Sequence, residues 1–276
     1  MATVNGYLEG RVDYYKPTPA GMASARSRRD AIYNRLNDDH VVSMFETGSM
    51  THGTGLWWHS DVDYFVRFYG SRPTPDTALG NIKSSMQKLY TSSSIRVSRP
   101  AVKLDFTNGV KVELVPAYPT GTADEYWIPD PTDSTKWMKS APEKHLQYVN
   151  AAQVLQPNTK SAVRLLKIWK AKKNVPVSSF YLEMRMAKYM THQTSKVGLE
   201  NAVRTVIGQI SASGLASLQD PTSYAGLLNA CSTSTYRETA KLRVATAYSR
   251  LLQATIADLG GNPVDAVAEL KKVFDS

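Results

Sequence analysis

The rhythm of apolar and polar positions changes midway along the chain. From Val41 to Tyr118 short runs dominate. "VVSMFE" and "DVDYFVRF" are β-rich, and "IRVSRPAVKLDF" and "VKVELVPAY" alternate around "TNG", whose Asn-Gly suits a tight hairpin. Among them "DTALGNIKSSMQKLY" carries a helical period through Leu79, Ile82, Met86 and Leu89. Pro119 to Pro142 is rich in Pro, Asp, Gly and Thr and reads as a long irregular crossing. From about Glu143 nearly every segment has the helical period. Tyr236–Leu259 is the longest, with Ala245, Tyr248, Leu252 and Leu259 as its apolar stripe. Ahead of Val41, "MASARSRRDAIYNRLN" reads as a basic helix packed on one lobe or bridging both. The pattern predicts an α+β fold. Residues 1–140 form an N-terminal helix and a mixed sheet flanked by helices, and residues 141–276 a helical lobe.

Composition narrows the class. With 276 residues, 42% hydrophobic and 21% charged, the chain is expected to be globular and soluble. It lacks the basic-then-apolar start of a signal peptide and any run long enough to span a bilayer, so the expected place is the cytoplasm, away from membranes. The single cysteine, Cys231, excludes an internal disulfide and a Cys-based zinc ribbon and reads as a small packed hydrophobe. A net charge of +9 and a pI of about 9.4 imply anionic company: nucleoside triphosphates, nucleic acid or a membrane surface.

The chemistry concentrates in "FETGSMTHGTGLWWHSDVDYFV", Phe45 to Val66. In a strand, successive side chains alternate faces. Asp61 and Asp63 therefore share one face, about 7 Å apart, while Val62, Tyr64 and Val66 enter the core. Two neighbouring carboxylates are costly without a cation, and magnesium is the hard ion that takes carboxylate and phosphate oxygens. A bare D-x-D also suits a solvated strand edge; the residues before it favour a site. Gly48-Ser49 lies at the end of an apolar run, where glycine lets backbone N–H groups and the Ser49 hydroxyl approach a phosphate, especially if a helix starts there. Metal-binding acids beside a phosphate cradle are what nucleotidyl transfer requires, one ion activating the attacking hydroxyl and a second gripping the triphosphate. Two-metal chemistry usually needs a third carboxylate. "VKVELVPA" offers Glu113, framed by Val112 and Leu114, and Asp105 in "VKLDF" is its rival.

These residues resemble a known family. "GS" then "GT" then "SDVD", with the later "VELVPA", is similar to the nucleotidyltransferase superfamily that includes DNA polymerase beta. "SAVRLLKIWKAKKNVPVSSFYLEMRMA" resembles the helical lobe of the bacterial CD-NTases, relatives of cGAS and oligoadenylate synthetase. The resemblance implies a polymerase beta-like core and a bilobal molecule with a central active-site cleft. It implies an enzyme that joins ribonucleoside triphosphates into a cyclic di- or trinucleotide messenger in CBASS anti-phage defence, with two Mg²⁺ (or Mn²⁺) ions held by Asp61, Asp63 and Glu113. Gly48, Ser49, Lys167, Ser179 and Phe180 become nucleotide contacts: Lys167 and Ser179 for phosphates, Phe180 for stacking on a base, with Tyr181 as the alternative stacker. Read from residues alone, "KSAVRLLKIW" is an amphipathic helix with Ala162, Leu165, Leu166 and Trp169 on one side and Lys160, Arg164 and Lys167 on the other.

The chain departs from the family at its third acid, where relatives commonly carry Asp. Its ending, "KKVFDS", neither requires nor forbids conjugation by an E1/E2-like partner. A downstream cyclic-nucleotide effector is implied. Arg26, Arg28 and Arg29 leave an RNA activator open. His52 and His59 match no zinc spacing and read as loop residues, with Trp57 and Trp58 anchoring that loop. The competing readings are a nucleotidyltransferase acting on an RNA 3′ end, a protein or an antibiotic, and a non-catalytic nucleic-acid-binding relative.

Overall fold

The β-rich runs before residue 120 assemble around one parallel strand pair. The computed structural model describes residues 3–37, 41–57, 61–107 and 109–275. They divide into two compact units, residues 17–146 and residues 1–16 with 147–276. The first helix, α1 (Val4–Tyr15), therefore groups with the helical unit and not with the sheet, in contrast to the boundary expected at residue 140. The reason is its apolar side: Leu8, Val12 and Tyr15 are buried there, and the Arg11 guanidinium pairs with Asp275 at 2.9 Å.

Residues 17–146 run α2 (Pro19–Arg26), α3 (Arg29–Asn37), β1 (Val41–Thr47), α4 (Gly48–Thr51), β2 (Val62–Phe68), α5 (Pro75–Leu89), β3 (Ser94–Ser98), β4 (Ala101–Asp105), β5 (Lys111–Pro119), β6 (Tyr126–Pro129) and β7 (Trp137–Ser140). The sheet order is β1-β2-β5-β4-β3, with β6 on β5 and β7 on β6. β2 and β5 are parallel, and the remaining pairs are antiparallel. On one face Val62, Tyr64, Val66, Leu104 and Leu114 pack under Ile32, Leu79, Ile82 and Met86. Each such burial contributes about 1.5–3 kcal/mol. On the other face Phe65, Val115 and Ala117 form a smaller cluster with Phe45 and Tyr126. Alternation along β2 thus aims Asp63 to the side of the smaller cluster.

Two expectations for this unit change. The single basic helix is two helices, broken at 27–28, and its arginines are engaged internally. Arg26 grips Glu46 with bonds of 2.5 and 2.7 Å, Arg28 lies 4.1 Å over the Phe106 ring, and Arg29 bonds Asp30 and the Met44 carbonyl. The crossing from Pro119 to Pro142 contains the β6–β7 hairpin, with Trp127 opposite Lys139 and Ile128 opposite Met138. Its polar composition belongs to the connecting turn, where Asp130 and Asp133 side chains accept N–H bonds from Thr132 and Thr135. In "TNG", Asn108 lies outside the described residues; Gly109 adopts φ +83° and its N–H donates to the Phe106 carbonyl at 2.9 Å.

The helical unit contains α6 (Pro142–Leu155), which begins at the end of the sheet unit, then α7 (Thr159–Lys172), α8 (Ser179–Thr191), α9 (Leu199–Ala212), a small ribbon of β8 (Leu218–Gln219) and β9 (Leu227–Leu228), α10 (Ser234–Leu259) and α11 (Pro263–Phe274). α10 buries Ala240, Val244, Ala247, Leu251 and Ala254, whereas Ala245 and Leu259 are exposed. The buried stripe is displaced by one position, and α9 and α11 are the helices packed on α10. Cys231 is buried, which pushes its thiol upward, as a packed hydrophobe should behave. No helix among the described residues is long and apolar enough to cross a membrane.

Gly208 on α9 packs against Tyr248 on α10. A Cβ there would stand 2.7 Å from Cε2 of Tyr248 on α10. Gly208→Ala is expected to lower stability by about 1–2 kcal/mol, because overpacking outweighs the roughly 1 kcal/mol gain in helix propensity. In a Tyr248→Ala background the same substitution should become stabilising. Thermal denaturation of the four proteins checks this; equal effects in both backgrounds would exclude the contact.

Candidate active site

Strand register assembles the acids. β2 and β5 place Asp63 beside Glu113, β4 and β5 place Lys103 beside Glu113, and β1 and β2 place Thr47 beside Asp63. Asp61 immediately precedes β2. The Lys103 ammonium ion-pairs with Glu113 and lies 3.6 Å from Asp61 Oδ2. Burial works against the Lys103 charge, yet its hydrogen bond to Glu113 and the charges of Glu113, Asp61 and Asp63 outweigh it and raise its pKa. Burial, reinforced by a hydrogen bond with Asp61, pushes the Glu113 carboxyl up to about 7 against the pull of Lys103. Two carboxylates thus meet one cation, and the charge of Asp63 adds to theirs. Asp105 is engaged elsewhere, ion-paired to Arg96 on the adjacent strand.

Gly48 ties the preceding loop to this cluster. It sits at φ +69°, and a Cβ built on it would fall 1.9 Å from Asp63 Oδ2. Only glycine allows β1 to turn into α4 against that carboxylate. Ser49 follows in the first turn, and its carbonyl accepts the Thr54 N–H at 2.9 Å. Thr54, Leu56 and His52 are all buried, so this glycine-rich stretch is a packed corner. Thr51 adds bonds to Glu46 and the Thr47 carbonyl, each of 3.2 Å, and Arg26 clamps that same Glu46. His52 lies inside the corner; Trp57 is 56% exposed, and Trp58 and His59 fall outside the described residues.

Carboxylate oxygens are the donors that a hard divalent cation takes, and those of Glu113 and Asp61 stand near the Lys103 ammonium. Among the described residues, no group of three or more His, Cys, Asp or Glu side chains stands in finished metal-binding geometry. The Lys103 nitrogen stands among the acids, so an ion there would have to take over its contacts.

In the helical unit, Lys167 is 5% exposed and its ammonium donates to Glu183 at 2.7 Å. Arg164 is buried as well, so the basic side of α7 is not a solvated face. Ser178 caps α8, accepting the Tyr181 N–H at 3.3 Å. Lys170 donates to the Ser179 hydroxyl at 2.7 Å. Phe180 is half-buried, while Tyr181 is fully buried with its hydroxyl on the Ala216 carbonyl, so Tyr181 is a core ring.

Sequence reasoning missed Lys103 and Lys170, and it read Arg26 as open to RNA where the structure has it on Glu46. Lys103 carried a signal: in "AVKLD" it alternates with Val102 and Leu104 and so faces away from the core. That it opposes Glu113 follows only from strand pairing.

Lys103→Met should leave the carboxylates without their internal cation. Because these side chains keep 17–27% exposure, the expected loss in chelator is about 1–2 kcal/mol, or roughly 2–4 °C in Tm per kcal/mol. Added Mn²⁺ or Mg²⁺ should then raise the Tm of the variant more than that of the wild type. Differential scanning fluorimetry with and without metal checks this, and an equal metal response would dissociate Lys103 from the acids.

Comparison with known proteins agrees with this geometry. Residues 2–152 match the Second Messenger Oligonucleotide or Dinucleotide Synthetase (SMODS) domain. Over 200 residues the chain is 26% identical to the CBASS oligonucleotide cyclase CdnC of Escherichia coli (strain KTE188), covering 67% of this chain and 63% of that protein. The match thus spans less than two thirds of the curated relative's length. The fold is similar to that of E. coli MS115-1 CdnC with ATP, at a TM-score of 0.76 and 19% identity over 99% of this chain and 98% of that one. It is also similar to the E. coli MS115-1 CdnC:HORMA-deltaN complex, at a TM-score of 0.75 and 18% identity over 99% and 97%. With a mixed sheet, acids at the strand starts, a glycine turn pressed against them and the domain match over residues 2–152, the chain belongs to the SMODS family.

Proposed function

We propose that this protein is a nucleotidyltransferase that joins ribonucleoside triphosphates into a cyclic di- or trinucleotide messenger of anti-phage defence. One observation carries the reading: Asp63 and Glu113 stand side by side on a parallel strand pair, with Asp61 just before it and Gly48 pressed onto Asp63, in a chain of the SMODS family. Asp61, Asp63 and Glu113 would hold the divalent ions. When bound, such ions neutralise phosphate charge and make an attacking hydroxyl more acidic.

The chain's own residues supply the rest. Gly48 lets the α4 turn lie against the Asp63 carboxylate, and Ser49 would offer a phosphate its hydroxyl there. The Thr54–Ser49 bond and the Arg26–Glu46 clamp hold this corner in place before substrate arrives, which reduces the ordering cost of binding. Glu113 would give up the proton that burial and Asp61 favour when it takes an ion. Lys103 balances the acids until a cation replaces it.

In the helical unit the nucleotide contacts of this reading are Lys167, Ser179 and Phe180, and Lys170 joins them. The start of α8 supports a phosphate there, because the Ser179 hydroxyl and the positive end of the helix dipole stand beside the Lys170 ammonium. Phe180, less buried than Tyr181, keeps ring surface for a base.

CdnC has been solved in complex with a HORMA protein, and a protein partner is the activator we favour for this chain. Arg26, Arg28 and Arg29 spend their charge inside the sheet unit, which weakens the case for an RNA activator through them. The expected place of action is the cytoplasm.

Purified protein with Mg²⁺ and the four ribonucleoside triphosphates is expected to yield a phosphatase-resistant oligonucleotide without a free terminal phosphate, identified by mass spectrometry. The Asp61→Asn/Asp63→Asn protein should yield none. Exclusively linear products, or label transferred only to an added RNA, protein or drug, would overturn the cyclase reading.

The two lysines separate by different readouts. Lys167→Ala strips buried Glu183 of its partner and should cost about 3–5 kcal/mol of stability. Lys170→Ala should keep the wild-type Tm and raise the KM for nucleotide about tenfold, the size of one charge-assisted phosphate contact. Melting curves and steady-state kinetics check both; an unchanged KM in Lys170→Ala would remove that lysine from the site.

A further inference from the structure

Helix α10 is apolar on two opposite sides, and its own unit covers one of them. Helices α9 and α11 pack on α10, whose buried side includes Val244, Ala247 and Leu251. The far side carries Leu242, Ala245, Ser249, Leu252, Ile256 and Leu259, at successive intervals of three, four, three, four and three residues. That is the heptad spacing of a helix seam packed against another helix. Yet Leu242 is 74%, Ile256 69% and Leu259 84% exposed. A surface helix ordinarily turns one apolar side inward and a charged side outward. Here the outer side is an apolar seam along about 27 Å, from the 1.5 Å rise per residue.

Little of this side needs water. The Thr246 hydroxyl donates back to the Leu242 carbonyl at 2.9 Å, so covering it costs no hydrogen bond. Arg243 donates to the Lys173 and Asn174 carbonyls, and Arg250 pairs with Glu269 on α11 at 3.1 Å. Both guanidinium groups are thus held by their own unit. The exposed charges of this stretch stand at its two ends, Glu238 and Lys241 at one and Asp258 at the other.

We propose that this side of α10 is a dimer interface, covered by the same side of α10 from a second copy of the chain running antiparallel. In that direction the seam is complementary to itself. A two-fold axis between Arg250 and Leu251 sets Leu242 opposite Leu259, Ala245 opposite Ile256 and Ser249 opposite Leu252, so each small residue meets a large one. Charge agrees with the direction. Lys241 falls beside Asp258 of the second copy, whereas parallel helices would set Lys241 against Lys241 and Asp258 against Asp258. Two such faces would bury roughly 1,000 Å² in total, near the lower limit for a specific interface, which fits a dimer that forms at micromolar concentration. None of these residues belongs to the acid cluster or to the proposed nucleotide contacts, so the dimer stands apart from the proposed activity.

Sedimentation equilibrium of the whole chain, from low to high micromolar concentration, tests the interface. The wild type is expected to pass from monomer to dimer. Ile256→Glu should weaken association about a hundredfold or more, because two unpaired carboxylates would be buried between the copies. Its Tm at low concentration should stay that of the wild type, since Ile256 is an exposed side chain of the single copy. Cross-linking reads the direction. Cys231 is buried, so introduced surface cysteines react in preference to it. Leu242→Cys mixed with Leu259→Cys should be joined by a short bismaleimide, whereas in either variant alone the paired cysteines of an antiparallel dimer stand about 25 Å apart. A chain that stays monomeric at high micromolar concentration would overturn the proposal and leave this face to a different protein. Association untouched by Ile256→Glu, or cross-linking of each cysteine variant with itself, would overturn it as well.

Discussion

Because β2 and β5 run parallel and in register, Asp63 and Glu113 must stand side by side, and much of the acid end follows from this. Like charges on neighbouring strands repel, so the arrangement persists only with a compensating cation. The next strand supplies one in Lys103, whose ammonium meets Glu113 and approaches Asp61. The strand on the other side supplies room, since Thr47 pairs with Asp63 and Gly48 then turns away without a side chain. Four neighbouring strands thus hold the carboxylates close enough to act together.

The same strands behave differently along their length. Their middle is aromatic and aliphatic, through Phe45, Phe65 and Val115, and excludes water. At one end the excess is acidic; at the other it is basic and aromatic, with Arg67, Arg72 and Trp127. A sheet is a stiff element whose two ends can carry separate chemistry while sharing a core, and here the paired strands are common to both ends. The β6–β7 hairpin completes the basic end by bringing Trp127 and Trp137 to Arg72.

The helical unit solves a different problem. Helix α7 is buried on almost all sides, its basic side included, with Lys167 neutralised by Glu183. Two charges taken out of water gain little net stability over apolar residues, but each strongly penalises loss of the other. Such a pair fixes how α7 and α8 face each other, and Lys170 and Ser179, on the same two helices, inherit that geometry. The apolar side of α1 is recruited into this unit despite its distance in sequence, because Leu8 and Val12 find their cover there.

Alternation in "DVDYFV" and "VKVEL" was enough to place Asp61, Asp63 and Glu113 off the core face, because the side-chain period of a strand is local and strict. Gly48 before an acid pair announced a close approach, and the long helical periods announced the second unit. What local pattern could not decide was pairing. Lys103 beside Glu113, Asp105 captured by Arg96, and the hairpin hidden in the Pro/Asp-rich stretch each depend on which strand lies next to which. The stripe on α10 depends on which neighbours cover it, and more than one register of apolar residues fits a 26-residue helix. Lys167 shows the limit most plainly. Helical spacing put it on a polar side, and packing on that side then removed the water and left Glu183 as its partner. Period and turn chemistry are properties of a few successive residues, whereas burial and charge pairing arise between segments far apart in the chain, so they emerge only once those segments have met.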